Sequence, residues 1–229
     1  MTEARSTSRA PLILVVALAL CLRFWAIDWG APYVYHPDEH LVVHPALNIV
    51  HTRDLNPHWF QYPSLLIYLQ AGVVAALEPF VRVPLISDAE QNRIGPWDVL
   101  PAQWPFVLAG RCWVAAFAVV GVVLIYFVGV NLRSSATGFA AAFFLAASPL
   151  HNESSHYLTT DVVATTLMTA ALLASVRWVH GGKDRQLIVA ALFSGLAAAT
   201  KYTAGIALLV PLALCATSSA ATASRWMKI

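Results

Sequence analysis

Two adjacent carboxylates, Asp38 and Glu39, stand between histidines in the run Tyr35-His36-Pro37-Asp38-Glu39-His40, just beyond the first apolar segment. A carboxylate beside a low-dielectric surface can take the proton of an attacking hydroxyl, so this pair is a candidate for general-base work. Neighbouring residues on a helix diverge by about 100°, from 3.6 residues per turn, so the two acids are not expected to do the same job. One would face a site while the other caps or orients. The plain alternative is an ordinary helix start, with Pro37 at the first position and the acids favouring the helix dipole.

Other residues invite the same double reading. His36, His40 and His44 recur every four residues and share one face of a helix. With an acid they could hold a divalent metal. Otherwise they form a polar face at a membrane surface, in a segment bent by Pro37 and Pro45. Lys201 lies between two apolar runs with no glycine- or proline-rich loop around it. A lysine there is costly unless it snorkels to the interface or meets a partner such as a phosphate. Arg111 raises the same question one turn into an apolar run, whereas Arg23 reads as a snorkelling anchor. Asp161 opens another apolar run, where it is either an N-cap or, with His156 nearby, a site acid. Asn152-Glu153-Ser154 matches a glycosylation sequon, which as a three-residue match carries no role here.

The elements that must position these residues are hydrocarbon-compatible helices. The chain has 229 residues, 59% hydrophobic and 11% charged, with mean hydropathy +0.65. A soluble domain carries roughly 25% charged residues, so a polytopic membrane protein is expected. Net charge is +2 and no basic run interleaves with aromatics, which sets nucleic acid aside. Cys21, Cys112 and Cys215 lack CxxC spacing and read as small buried hydrophobes.

The hydropathy pattern predicts an all-α bundle of six spans: 11–27, 106–132, 136–148, 161–179, 186–200 and 202–216. A cleavable signal peptide competes for the first, but Arg23-Phe24-Trp25 occupies the cleavage position, so an uncleaved helix is expected. Residues 1–229 form one module, with a long first outer loop over 28–105. In that loop Asp38–Thr52 reads as an amphipathic helix. Ser64–Leu77 is too short to span and reads as interfacial or re-entrant. The segments Ser87–Trp104 and Ser218–Ile229 are polar, and His151–Thr160 is a polar connection.

Short-loop cations set the orientation. Arg5, Arg9, Arg133, Arg177, Lys183, Arg185, Arg225 and Lys228 fall on one side, expected to be the cytoplasm. The opposite side then holds every acid except Glu3 and Asp184, and every histidine except His180. That partition points to a working extracytoplasmic face. The absence of an internal repeat argues against an inverted-repeat transporter.

Taken in order, these motifs resemble the N-terminal half of the GT-C superfamily of membrane glycosyltransferases. The nearest groups are the bacterial relatives of dolichyl-phosphate-mannose protein mannosyltransferases and the lipid A aminoarabinose transferases. The resemblance runs over about residues 11–212. It rests on a first helix ending in Arg23, then Pro37-Asp38-Glu39 and Tyr62-Pro63-Ser64-Leu65-Leu66-Ile67-Tyr68. Ala109-Gly110-Arg111, Ser148-Pro149-Leu150, Thr160-Asp161 and Gly195-Leu196-Ala197-Ala198-Ala199-Thr200-Lys201 complete it.

The resemblance implies a multi-pass protein of a bacterial plasma membrane with its active face outside. It implies a polyprenyl-phosphate sugar donor and a lipid, glycan or protein acceptor. Asp38 would be the base and Glu39 its assistant. An acceptor hydroxyl would attack the anomeric carbon with inversion. Arg111 and Lys201 would hold the donor phosphate, with Asp161, His40, His156 and Tyr62 as further site candidates. No metal is generally required in these families. Their members commonly carry more spans, so the sequence is expected to be an N-terminal module or a minimal form. The reading from a different class is a non-catalytic subunit that binds or translocates a lipid phosphate.

Overall fold

The computed structural model describes residues 10–81, 101–181 and 183–216. The polar stretch expected from Ser87 onward, Arg5, Arg9, Arg225, Lys228 and the C-terminal tail lie outside the described residues, save for residues 101–104. Every regular element among the described residues is helical. Helix α1 is Ala10–Phe24, α2 His40–Thr52, α3 Leu65–Leu77, α4 Trp104–Leu132, α5 Ser135–Ala147, α6 Pro149–Ser154, α7 Thr160–Val179 and α8 Arg185–Thr200. A last helix, α9, covers Tyr202–Ala216, its first part wound as a 3₁₀ helix over Tyr202–Leu208.

These boundaries follow local chemistry. Ser134 caps α5 by accepting the Thr137 N–H. Ser148 ends α5, and Pro149 opens α6 where a missing N–H costs nothing. Lys201 is a single extended residue, φ −146° and ψ 126°, which breaks α8 from α9 without a loop. The region expected as a polar connection, His151–Thr160, contains the last turn of α6. That short helix is mostly polar, with His151, Asn152, Glu153 and Ser154 in sequence, so hydropathy does not disclose it.

Helix α4 is the central element. It packs against α1, α3, α5 and α7, while α8 packs on α7, and α9 on both. Gly129 of α4 and Gly138 of α5 let the two backbones touch. A Cβ on Gly129 would lie 2.6 Å from Gly138 Cα, and one on Gly138 2.4 Å from the Tyr126 carbonyl oxygen. Small residues at such crossings are how helices approach in a bilayer, where lipid removes the hydrophobic drive between them.

The interior divides in two. One cluster, including Val15, Ala19, Val122, Tyr126 and Ala142, joins α1, α4 and α5. The larger one, including Val43, Leu66, Phe106, Val114, Leu158 and Val163, lies beneath α2 and α3. The outer surfaces of α1, α5, α8 and α9 stay apolar, with Ile13, Phe144, Ile188 and Leu212 each more than 60% exposed. Such a band suits lipid and would be a liability in water.

Two helices, Pro101–Leu132 and Thr160–Val179, are long and apolar enough to cross a membrane. The remaining apolar helices have 10–17 residues. At 1.5 Å per residue even the longest, the 16-residue α8, reaches only about 24 Å, short of a ~30 Å hydrocarbon core. Helix α3 is one of these short helices, as its length in the sequence predicts.

Two other expectations change. Cys21 and Cys215 are exposed on helix surfaces, where buried positions were expected. Arg23 does not snorkel: it is fully buried. Its Nη1 and Nη2 donate to the Ala146 and Leu145 carbonyls at 3.2 Å, two of the acceptors left open where α5 ends. Its Nη2 also meets His151 Nδ1 at 2.8 Å.

Candidate active site

The site lies at the end of the bundle where α7 begins and α8 ends. Pro37-Asp38-Glu39 forms a turn, and α2 starts one residue later at His40. Glu39 occupies the N-cap position, yet its side chain caps nothing in its own helix. It is turned inward and is fully buried, as is Arg111. Arg111 Nε donates to Glu39 Oε1 at 2.8 Å and Nη2 to Oε2 at 2.7 Å, a two-pronged pair. Arg111 Nη1 donates to the Trp29 carbonyl at 2.8 Å and the Ile27 carbonyl at 3.3 Å. Glu39 Oε1 also accepts the Leu158 N–H at 2.9 Å. The guanidinium lies 4.9 Å from the Trp104 ring centroid and 5.7 Å from that of Tyr157.

One ion pair thus ties four pieces of chain: the segment after α1, the start of α2, helix α4 and the strip before α7. Two buried charges are tolerable only when well paired and hydrogen-bonded, and here both conditions are met. The phosphate expected at Arg111 would find a side chain already committed. Gly110 is needed beside it, because a Cβ there would sit 2.6 Å from the Leu158 side chain and 3.0 Å from that of Gln70.

On this base Asp38 turns outward and is half-buried. Its N–H donates to His36 Nδ1 at 3.2 Å, and the His36 ring packs on Tyr157 with centroids 4.5 Å apart. The Tyr62 hydroxyl donates to Asp38 Oδ2 at 3.4 Å. Burial and, after it, the charge of Asp38 push the Tyr62 phenol above its usual pKa. The charges of Lys201 and Asp161 also reach Tyr62, so all four side chains belong to one neighbourhood. Beside Asp38 opens a cavity of about 310 Å³, lined by Tyr35, His36, Pro37, His40 and Gln61 among others. That is at the small end of the range for ligand pockets, roughly 300–1,000 Å³.

Lys201 and Asp161 form an ion pair across α7 and the α8–α9 break. The N-cap of α7 is Thr159, so Asp161 stands inside the first turn and is not the cap. The pair is partly open, with the lysine side chain 32% exposed. The Tyr202 hydroxyl donates to the Phe60 carbonyl at 3.2 Å, which holds the loop carrying Tyr62 against the start of α9.

The remaining candidates go elsewhere. His156 aims its two ring nitrogens at the carbonyls of Asn152 and Trp25, 2.8 and 3.0 Å away, and so holds α6 to the end of α1. His40 is buried and lies with His44 at a ring separation of 6.1 Å. Among the described residues no three His, Cys, Asp or Glu side chains converge as a metal set, and His36 is separated from the other two by its stacking on Tyr157. Tyr157 and the Leu158 N–H left no signal in the sequence, because both act through contacts with distant parts of the chain.

These features define a helical membrane protein with an acid, a phenol and a lysine–aspartate pair gathered at one end of its bundle. The sequence model of the dolichyl-phosphate-mannose-protein mannosyltransferase family matches residues 107–228, over half of the chain. The chain belongs to that family and is a membrane glycosyltransferase of the GT-C type. Arg111, Asp161 and Lys201 fall within the matched stretch, whereas Asp38, Glu39 and Tyr62 precede it. No curated protein matches the chain.

Proposed function

We propose that the chain transfers a sugar from a polyprenyl-phosphate donor to a hydroxyl acceptor, with inversion, at the extracytoplasmic face of a bacterial plasma membrane. In this reading α1, α4, α5, α7, α8 and α9 cross the bilayer, the short ones with flanking residues that thin or snorkel, and α2 and α3 lie on the outer side. Asp38 is the catalytic base. It takes the proton of the acceptor hydroxyl as that oxygen bonds to the anomeric carbon. The bond from that carbon to the phosphate oxygen breaks, and the lipid phosphate leaves. Lys201 stabilises the leaving phosphate and in doing so exchanges Asp161 for it. Positive charge at the leaving group then comes from the protein, and the reading calls for no metal. The acceptor is a lipid, glycan or protein bearing a free hydroxyl.

Glu39 and Arg111 have supporting parts here. They fix the turn that aims Asp38 and do not touch the donor. The observation that carries the reading is Asp38 itself, half-exposed at a cavity wall, bonded by Tyr62 and built on the buried pair next in sequence. The test is sugar transfer by the protein in proteoliposomes loaded with a polyprenyl-phosphate hexose. Transfer that falls by about 10²–10⁴-fold in Asp38→Asn while donor binding persists supports the reading. Donor binding without transfer by the native chain would instead indicate a lipid-phosphate-binding subunit.

A further inference from the structure

At the opposite end of the bundle, away from Asp38, a groove runs between α4, α7 and α8, with a volume of about 250 Å³. Along α7 its floor is Leu167, Ala170, Leu173, Ala174 and then Arg177, a helical stripe at spacings of three and four. From Leu167 to Arg177 the stripe rises about 15 Å at 1.5 Å per residue, half of a ~30 Å hydrocarbon core and so one leaflet deep. Toward the middle of α7 the groove is lined by Phe117 and Thr166, where the Thr166 hydroxyl donates to the Phe117 carbonyl at 3.1 Å. Its walls are apolar except at the other end, where Arg177 and Gln186 line it.

That end is positive. Arg177, Lys183 and Arg185 are all exposed there. The nearby acid, Asp184, accepts a hydrogen bond from the Trp178 indole at 3.3 Å. None of the ion pairs among the described residues uses Arg177.

We propose that this groove is a binding site for one anionic phospholipid, with an acyl chain in the slot and its phosphate on Arg177 and Gln186. An apolar slot one leaflet long that ends in a guanidinium matches the two chemically different halves of such a lipid. An annular lipid held by hydrocarbon alone would not need the cation, and a free anion would not need the slot. Basic pockets between membrane helices are known settings for acidic headgroups. Guanidinium meets phosphate with two parallel hydrogen bonds, which makes Arg177 the selective element. The site is independent of the sugar-transfer reading.

The experiment is lipid retention by the full-length protein, released from mixed micelles of dioleoylphosphatidylglycerol and dioleoylphosphatidylcholine and weighed by native mass spectrometry. The native chain is expected to keep one phosphatidylglycerol in preference to phosphatidylcholine by roughly tenfold or more, the effect of one charge-assisted contact. Arg177→Gln should remove that preference with helix content unchanged by circular dichroism. Val189→Trp, which fills the slot and leaves the cations, should reduce retention of both lipids. Equal retention of the two lipids by the native chain would overturn the proposal, as would a preference that survives Arg177→Gln. Displacement of the lipid by inorganic phosphate at matched concentration would also overturn it, by showing a simple anion site.

Discussion

Glu39 and Arg111, 72 residues apart in sequence, face each other through two hydrogen bonds of 2.8 and 2.7 Å with both side chains shut off from solvent. Asp38 is the residue before Glu39, so the position of the outward acid is set by the burial of the inward one. The two acids lie in the turn before α2 and not on the helix itself, and there they divide the labour: one carboxylate holds the turn and the other is presented to the cavity.

Removing one partner leaves the other buried and unpaired, which costs about 3–5 kcal/mol. Arg111→Met and Glu39→Gln are therefore expected to lower the thermal unfolding midpoint of the detergent-solubilised protein markedly. The double variant Glu39→Met with Arg111→Met should recover much of the loss, because a well-packed apolar pair replaces two charges. Single variants as stable as the native chain would return Arg111 to the donor-binding role the family resemblance implies.

The topology has its own check. Helix α3 is 13 residues long, no longer than α5, so length alone does not separate a helix on the outer side from a short span, and the proposed placement of α3 needs a direct test. Its far end is tied to α2 by Glu78 and His51, 2.7 Å apart. Cysteines placed at Gln61 and at Glu78 should both react with a membrane-impermeant reagent added outside the cell. Labelling of one only from the cytoplasmic side would reverse the placement of the site.

Lys201 is paired with Asp161 and partly open to solvent. A charge-assisted bond to phosphate contributes about 1.5–3 kcal/mol. Lys201→Ala should weaken donor affinity by roughly one to two decades, at 1.4 kcal/mol per decade, with the fold retained. Donor affinity measured by lipid-phosphate competition decides it, and an unchanged value would leave Lys201 as a purely structural partner of Asp161.

The joint between α1 and α6 should be pH-sensitive. Burial, and after it the Arg23 charge, push the His151 pKa down to about 4, since its Nδ1 must stay unprotonated to accept from Arg23. An unfolded histidine titrates near 6.5. Between those values the unfolded chain binds the extra proton and the folded chain does not, so stability falls as pH drops from about 6.5 toward 4. His151→Gln keeps an acceptor without titrating, and should flatten the dependence of the unfolding midpoint over that window. A slope equal to that of the native protein would remove His151 as its source.

What the sequence disclosed was mostly what hydropathy and punctuation encode. The apolar run from Phe106 to Leu132 became α4 with its start moved to Trp104, and Ser64–Leu77 became α3 one residue shorter. Proline after Ser148 and the charge at Lys201 marked real breaks. Of the residues singled out, Tyr62 is bonded to Asp38, and Lys201 is paired with Asp161. What stayed hidden was partnership. Nothing near Arg111 marks its match to Glu39, and nothing near Arg23 marks the carbonyls of α5, because pairing across more than seventy residues leaves no local trace. Arg23 and Arg111 looked like an anchor and a ligand contact. Both are buried ties between helices.

The last prediction concerns Asp38. A hydroxyl is a weak nucleophile at neutral pH, and its proton must be taken up as the new bond forms. The Asp38 carboxylate lies at the wall of a cavity, receives the Tyr62 hydroxyl at 3.4 Å, and is held by the Glu39 anchor beside it. A positioned general base typically contributes 10²–10⁴-fold. Asp38→Asn preserves size and hydrogen-bonding reach and removes the proton acceptor. Single-turnover transfer from a polyprenyl-phosphate hexose should fall by about 10²–10⁴-fold, whereas donor affinity should change far less. Because Asp38→Asn leaves Glu39 and Arg111 intact, the unfolding midpoint should stay near native, which separates this variant from Glu39→Gln. Near-native turnover in Asp38→Asn, with that midpoint unchanged, would sink the catalytic assignment and leave the turn as the mount of a structural ion pair.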